Sequence, residues 1–595
     1  MVLSRIWICN SSYRQDVSSG SIVKSLGQFG TVEDMTAEIE ERKRLLTPPK
    51  VEPNKKFKQE QQEQQQQQQS KKSKVRKYKA KSTDATSPLG VLEYEIRSLC
   101  KGHGLALEDI TNDMKGILNN REIEEKYHRV VENVHVLQLL SNGDSIAIIC
   151  GADSQVKVKK QVVVIPFALP GDVVTVKIYR THPLYAEADL LSVQTPSKMR
   201  DDSLIQCRYF GKCSGCQFQN ISYDDQLKIK RKTIQNAYTH FAPILTEQNK
   251  LPEILETQPS PLLYNYRTKL TPHFNIPTKK SGADLTFRPN FGFGAKGRPA
   301  WRQSDFGPTG SIMDIEECSI GTPIVNLGLK NERKKLETTY KTYKKGATIL
   351  LRENTKIKDG EKIELGEASR DFDDGTVSSI EVAAAAAQNG LELVKTCVVA
   401  PRQIVQEIVG IYKFEFSAGE FFQNNNSILP LVTRYVKDNL LHSQPNYLVD
   451  AYCGSGLFSI TCSSNVTKVI GVEVSAESVK FAKHNAILNN TQNTKFIVGK
   501  AEEIFKDIDT PSSQTSVILD PPRKGCDEVF LNQLSAYKPA KIVYISCNVH
   551  SQARDIEWFL NNTENGSKYV VESIKGFDFF PQTHHIETVT VLSMV

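Results

Sequence analysis

A chain of 595 residues exceeds one ordinary domain and predicts three or four folded units. Hydrophobic residues make up 39%, enough for real cores, and the absence of any run of about 18 apolar residues argues against a membrane span. The net charge of +7, with a pI near 8.6, permits a polyanionic partner without demanding one. Twelve cysteines are too few for a disulfide scaffold, so clustered cysteines read as metal ligands or catalysts in a reducing compartment.

Residues 1–32 carry Arg5, Arg14 and Lys24 against a single acid, Asp16. A mitochondrial presequence shares that bias, but the amphipathicity is poor and an unstructured terminus is the plainer expectation. Residues 33–88 are expected to be disordered. They contain the glutamine run Gln64 to Gln69 and seven bases in the eleven positions from Lys71 to Lys81. Such a block reads as a nuclear address, an RNA tether or a solvated linker. Residues 89–133 have helical patterning through Leu92, Ile96 and Leu99, with no chemistry assigned.

Residues 134–198 are rich in β-formers: Val134 to Leu137, Ser145 to Ile149, Gln161 to Ile165 and Val173 to Ile178, with a Pro170-Gly171-Asp172 turn. This spacing predicts a small β-barrel, and Lys157, Lys159, Lys160, Lys177 and Arg180 suit RNA. Residues 199–410 form a central α+β region. It opens with Cys207, Cys213 and Cys216, interleaved with Gly211 and Gly215. Thiolates are natural ligands of zinc or an iron–sulfur cluster, and Cys318 is the best fourth ligand. Tyr264 to Lys269 mixes aromatic and basic residues, as a nucleotide-stacking strand or a plain edge strand would.

Residues 411–595 alternate strands and helices, predicting a mostly parallel α/β sheet. Strands are expected at Tyr447 to Asp450, Lys468 to Val474, Lys495 to Val498, Ser516 to Asp520 and Lys541 to Ser546. Three loops at strand ends then share one sheet edge, where ligands of such sheets bind. The first is Asp450-Ala451-Tyr452-Cys453-Gly454-Ser455-Gly456, with Glu473 placed 23 positions on to accept ribose hydroxyls. The third glycine of a dinucleotide loop is missing, which favours S-adenosylmethionine (SAM) over NAD. The second loop is Asp520-Pro521-Pro522-Arg523. Arg523 stands where amine methyltransferases carry a base-stacking aromatic residue, so amine methylation is disfavoured. The third, Ser546-Cys547-Asn548, offers a thiol. A thiolate adding to carbon 6 of uracil makes carbon 5 nucleophilic, and sulfur both adds and leaves well.

Together with Phe422-Gln423-x-Asn425 and His585-x-Glu587-x-Val589, these motifs occur in the order of the RNA (uracil-5-)-methyltransferase family, which the chain resembles from about Val134 to Val595. The resemblance implies a TRAM-like RNA-binding barrel, a C-terminal class I (Rossmann-like) SAM-dependent domain and tRNA as partner, with uridine 54 of the T loop the foremost target. It implies SAM-binding roles for Gln423, Tyr452, Glu473 and Asp520. It makes Cys547 the nucleophile and Glu587 the base that removes the carbon-5 proton. It also likens Cys207, Cys213, Cys216 and Cys318 to the [4Fe–4S] site of some members. One departure is Val549, where the nucleophile motif usually has proline. Ribosomal RNA as substrate, an RNA-binding or tRNA-folding protein, and a zinc-dependent module stay open. The expected location is cytoplasmic or nuclear, with no protein partner implied.

Overall fold

The computed structural model describes residues 83–150, 160–276, 287–297, 312–357, 379–382, 393–500, 504–505 and 508–595. The presequence, glutamine-run and basic-block readings, together with Lys157 and Lys159, lie outside these residues. No helix among the described residues is long and apolar enough to cross a membrane.

The first elements are helices α1 (Pro88–Gly102), α2 (Leu107–Ile110), α3 (Met114–Asn119) and α4 (Arg121–Tyr127). α1 begins at an N-cap, Ser87, whose hydroxyl accepts from Gly90 N, with Pro88 in the first turn where its missing N–H costs nothing. A six-stranded sheet follows: β1 (Val130–His135), β2 (Gln138–Leu139), β3 (Ser145–Cys150), β4 (Lys160–Ile165), β5 (Val173–Thr181) and β6 (Ala186–Thr195). Their order is β1-β5-β6-β4-β3-β2. The pleat decides which residue goes where. Ala147, Val163, Ile165, Val174, Val176 and Ile178 form the inner core. The alternate residues Ile146, Val162 and Val164 face outward and are covered by Leu92, Ile96 and Leu99 of α1.

The sheet starts earlier than the sequence predicts, and it gains β6. Asn133, with φ of 56°, and a register shift between Val131 and Val134 interrupt the alternation of β1. β6 has three register shifts against β5 and two charged residues, Glu187 and Asp189, so no clean period of two announces it.

The central region contributes helix α5 (Tyr223–Phe241), the short α6 (Pro243–Glu247), strands β7 (Lys269–Leu270) and β8 (His273–Phe274), helix α7 (Pro323–Thr339), and strands β9 (Ala347–Thr348), β10 (Leu351–Ile357), β11 (Ser379–Val382) and β12 (Leu393–Val398). A four-stranded sheet in the order β11-β12-β10-β7 packs on α7 through Leu351, Cys397, Val325 and Leu329.

A hairpin of β13 (Ile404–Val409) and β14 (Tyr412–Ser417) and helix α8 (Leu429–Asp438) lead into the C-terminal sheet. Its elements are β15 (Tyr447–Ala451), α9 (Leu457–Thr461), β16 (Lys468–Glu473), α10 (Ala476–Leu488), β17 (Thr494–Val498), β18 (Thr515–Leu519), α11 (Glu528–Tyr537), β19 (Lys541–Ser546), α12 (Val549–Asn562), β20 (Tyr569–Phe577) and β21 (Glu587–Met594). The strand order is β17-β16-β15-β18-β19-β21-β20, parallel except around β21, which runs antiparallel to both neighbours. The continuous apolar runs Val517-Ile518-Leu519 and Ile542-Val543 are buried on both faces, as a covered parallel sheet requires. α11 and α12 cover one face. α8, α9, α10 and the β13–β14 hairpin cover the other. α5 also belongs to the first face: Ile234, Ala237, Tyr238 and Phe241 join the core beneath the sheet, although their place in the chain groups them with the central region.

Candidate active site

The first loop leaves β15 with three residues at positive φ: Tyr452 at 72°, Gly454 at 52° and Gly456 at 92°. Left-handed backbone is cheap for glycine and strained for tyrosine. Tyr452 is held there because its N–H and that of Cys453 both donate to Val472 O at 3.0 Å. A side chain at Gly456 would stand 3.1 Å from Ile460 Cδ1, while Gly454 faces open space. Glu473 ends β16 beside this loop. Its Oε2 accepts from Gly454 N at 3.3 Å and its Oε1 from Ser475 N at 2.9 Å. Asp450 is buried beneath the loop. Ser459 Oγ donates to its Oδ2 at 2.6 Å, whereas its buried Oδ1 has no protein partner. Burial pushes its carboxyl up to about 7.

Gln423 lies on the loop after β14 and is half-buried. Its neighbours are pinned. Phe422 stacks on Phe416 at 4.4 Å, Arg352 donates to Asn424 Oδ1 at 3.0 Å, and Asn425 Nδ2 donates to Ser260 Oγ and Phe579 O, both at 3.0 Å. The open turn at Gly454, the orphaned oxygen of Asp450 and the acid at Glu473 form a cradle that suits a nucleoside-bearing cofactor.

The second and third loops meet β21. In the β19–β21 ladder Ser546 pairs with Thr588, so Cys547 and Glu587 emerge at the same end of adjacent strands. Asp520 follows the neighbouring β18. Electrostatics ties the three together. Burial, then Glu587 and Asp520, push the Cys547 thiol up to about 12, while Arg523 pulls it down. Burial and Asp520 push Glu587 up to about 8, again opposed by Arg523. Burial and the Asp450 charge raise Asp520 to about 7. Three acidic groups share one partly enclosed site, with the Arg523 cation beside two of them, and burial favours their neutral forms.

Arg523 is itself held in place. Its carbonyl accepts from Asn548 Nδ2 at 2.9 Å and from Ser551 Oγ at 3.1 Å. Asn548 also caps α12, its side chain accepting from His550 N at 3.2 Å. Val549 is therefore the first helical residue, a position that tolerates proline without requiring it, and its side chain is buried.

Glu587 depends on residues the sequence motifs do not reveal. The segment from Asp578 to Ile586 that delivers it is fastened by α5 and the loop before it. Lys230 and Asp578, both fully buried, pair at 2.5 Å, and Lys230 Nζ also donates to Phe580 O at 3.0 Å. Gln226 Nε2 donates to Gln582 Oε1 at 3.1 Å, and Gln217 Oε1 accepts from His584 N at 3.2 Å. A signal for Lys230 does exist. It lies on the same stripe as Ile234, Ala237, Tyr238 and Phe241, and a cation on an apolar face must find a buried partner.

Tyr266 decides between the two readings of its segment. It is 2% exposed and its hydroxyl donates to Pro581 O at 2.9 Å, so it braces the segment from Asp578 to Ile586 and cannot stack on a base. Lys269 Nζ is turned to the carbonyls of Gly419 and Glu420, and Arg267 lies over the Phe580 ring at 5.6 Å.

The four cysteines of the central region come into mutual electrostatic range. Burial first, with neighbouring thiols adding, raises Cys213 to about 11 and also raises Cys216 and Cys318. Cys207 acts on all three. The donor chemistry suits a soft metal, yet among the described residues no three His, Cys, Asp or Glu side chains are spaced to hold one.

Comparison with known proteins agrees with this architecture. A family model described as tRNA (Uracil-5-)-methyltransferase matches residues 342–595, and a TRAM domain model matches residues 125–191. The chain is 57% identical over 539 residues to a tRNA (uracil(54)-C(5))-methyltransferase of Saccharomyces cerevisiae, covering 88% of this chain and 83% of that protein. It is 42% identical over 502 residues to the Schizosaccharomyces pombe protein of the same description, covering 83% of each. Among solved structures, the Pyrococcus abyssi tRNA (uracil-54, C5)-methyltransferase in complex with S-adenosyl-L-homocysteine shares the fold, with a TM-score of 0.51 and 22% identity over 78% of this chain and all of that one. With its TRAM domain, its SAM-dependent C-terminal domain and relatives this similar over most of its length, the chain belongs to the tRNA (uracil-5-)-methyltransferase family.

Proposed function

We propose that this protein methylates carbon 5 of uridine 54 in the T loop of tRNA, with Cys547 as nucleophile and Glu587 as base. The observation that carries this reading is the meeting of Cys547, Glu587 and Asp520 at one end of three adjacent strands, beside the Gly454–Gly456 cradle. SAM, when bound, supplies the methyl sulfonium, and Gln423, Tyr452, Glu473 and Asp520 are the residues assigned to hold it. The Cys547 thiolate adds to carbon 6 of the uracil, and the electron pair gathered at carbon 5 takes the methyl group as the methyl–sulfur bond breaks, its electrons staying on sulfur and S-adenosyl-L-homocysteine leaving. The Glu587 carboxylate then removes the carbon-5 proton. The electrons of that C–H bond restore the 5,6 double bond and expel the thiolate, so covalent catalysis divides the hard step in two. Arg523 moderates the negative charge that accumulates at Cys547 and Glu587. Burial holds Glu587 protonated below about 8, so it serves as base in its ionised fraction.

The relatives' names support tRNA over ribosomal RNA as substrate. The test is incubation with labelled SAM and unmodified tRNA, followed by mapping of the modified nucleoside, with Cys547→Ala in parallel. 5-Methyluridine in the T loop, lost in the variant, is the expected result. Product that survives Cys547→Ala refutes the mechanism, and an inactive wild type refutes the substrate. The [4Fe–4S] assignment to Cys207, Cys213, Cys216 and Cys318 stands on donor chemistry alone. Iron and sulfide analysis of anaerobically purified protein tests it against zinc, and no step above passes through a metal. The cytoplasmic or nuclear location is likewise proposed, and fractionation tests it.

A further inference from the structure

A cavity of about 350 Å³ opens beside Cys547. That is at the small end of the roughly 300–1,000 Å³ of ligand pockets, room for a single nucleotide rather than a helix. Four parts of the chain wall it. The turn before α1 and its first residues contribute Thr86 and Pro88, the β2–β3 turn contributes Asn142, α5 contributes Thr233, and the loops of the C-terminal sheet contribute Arg523, Cys547 and His550. The cavity shares Cys547 and Arg523 with the catalytic cluster, but neither Glu587 nor Asp520 lines it. It therefore extends past the reacting atoms instead of enclosing them.

The α1 wall is fastened to the catalytic loops. Asn548 Nδ2 donates to Thr86 O at 3.2 Å, and Arg554 donates to Thr86 Oγ1 at 3.2 Å. Also on the cavity wall, Glu95 accepts from Ser141 N at 2.9 Å and Ser141 Oγ at 2.6 Å, tying α1 to the barrel. Besides Glu95, one further acid lines the cavity, Asp84. It is turned to Thr86 N at 2.8 Å and lies 3.8 Å from Arg554, so it is already compensated. Arg523 and Lys524 are exposed cations at the cavity rim, placed to meet a phosphate.

One polar side chain of the wall, His550, is left without its full set of partners. Its Nδ1 is buried and has no hydrogen-bond partner in the protein. The ring is packed edge-on against Phe241 at 5.5 Å. Burial pushes its pKa down to about 4, so the ring is neutral and presents one donor and one acceptor nitrogen. A buried polar atom left unmet is costly, and a ligand that meets it is favoured.

We propose that this cavity is a subsite for the nucleotide flanking the target uridine in a flipped-out RNA strand, with His550 hydrogen-bonding the base edge and the first turn of α1 forming the wall behind it. The proposal rests on the methyltransferase reading above. It gives α1, which precedes the family's motifs in the chain, a part in substrate recognition.

The test uses the full-length protein with His550→Phe, His550→Gln, Pro88→Glu and, as a control, Ser98→Glu on an exposed part of the same helix. Phenylalanine keeps the packing on Phe241 and removes the hydrogen bond. Glutamine restores hydrogen-bonding capacity. Glutamate suits the first turn of a helix, so it places a charge at the cavity without weakening α1. The readouts are Kd for a T-arm stem–loop, KM and kcat for tRNA, and Kd for SAM. His550→Phe and Pro88→Glu should weaken stem–loop binding and raise KM by about five- to tenfold. kcat and SAM affinity should hold, His550→Gln should recover most of the loss, and Ser98→Glu should match the wild type. Wild-type values in both His550→Phe and Pro88→Glu overturn the subsite, as does a loss in Ser98→Glu equal to that in Pro88→Glu. If the wild type binds the stem–loop but methylates nothing, the reaction assignment fails while the Kd series still decides the subsite.

Discussion

Replacing Glu587 by Gln should abolish 5-methyluridine formation and, at the same time, stabilise the fold in alkali. Glu587 is 9% exposed, and burial with the Asp520 charge raises its carboxyl from an ordinary 4.5 to about 8. Between those two values the folded protein holds a proton that the unfolded chain has released. Stability from this group is therefore full below 4.5 and falls as pH rises towards 8. At 1.36 kcal/mol per pKa unit, the loss between pH 6 and pH 9 is about 2.6 kcal/mol. Glutamine has nearly the same shape and no charge to bury, so the variant should escape that loss. The assay is thermal unfolding of wild type and Glu587→Gln at pH 6 and pH 9. The other buried acids titrate in both proteins, so the difference between the two pH slopes isolates Glu587. With roughly 2–4 °C per kcal/mol for units of 150–250 residues, the wild type should lose roughly 5–10 °C more than the variant. Parallel losses would refute the claim that this carboxyl is held neutral by burial.

Further outcomes follow from the same geometry. Wild-type kcat should climb between pH 7 and 9, because Glu587 must be ionised to remove the carbon-5 proton and its pKa stands near 8; a pH–rate profile flat across that range would contradict its role as base. Glu587→Gln should also lower the pKa of Cys547, now raised in part by that carboxylate, and speed its alkylation by iodoacetamide at pH 8.5, measured by mass spectrometry of the labelled peptide. Lys230→Met should cost about 3–5 kcal/mol by stranding Asp578 without its buried partner, and the double variant Lys230→Met, Asp578→Leu should recover much of this in a denaturation series. Gly456→Ala should weaken SAM binding by about tenfold in calorimetry, since a φ of 92° strains any side chain.

The parts of this molecule that were legible before the fold was known are those where a residue type and its spacing both carry meaning. The runs at Val517 and Ile542 announced covered strands, and Leu92, Ile96 and Leu99 announced the buried stripe of α1. The Gly454–Gly456 turn, Asp520 and Cys547 announced one sheet edge because each ends such a run. Glu587 was different. An acid between Ile586 and Thr588 reads as a solvent-facing strand position, and only the family motif singled it out. The antiparallel register of β21 then places it beside Cys547. Tyr266 reads two ways in sequence because an aromatic residue near basic ones looks alike whether it meets a base or Pro581 O. β6 escaped because its register shifts erase the alternation on which strand recognition depends. Contacts across hundreds of residues, such as Gln226 with Gln582, leave no local pattern at all.

The fastening of the Asp578–Ile586 segment by α5 bears on what can be separated in this protein. A fragment beginning at residue 411 would contain every motif named for the cofactor and the chemistry, yet it would expose the apolar stripe of α5's docking site and leave Asp578 facing water. Catalysis and the central region are thus one inheritance. A transplant or split of the catalytic module that omits residues 217–260 would carry the reactive groups but not the bracing that aims Glu587 at them.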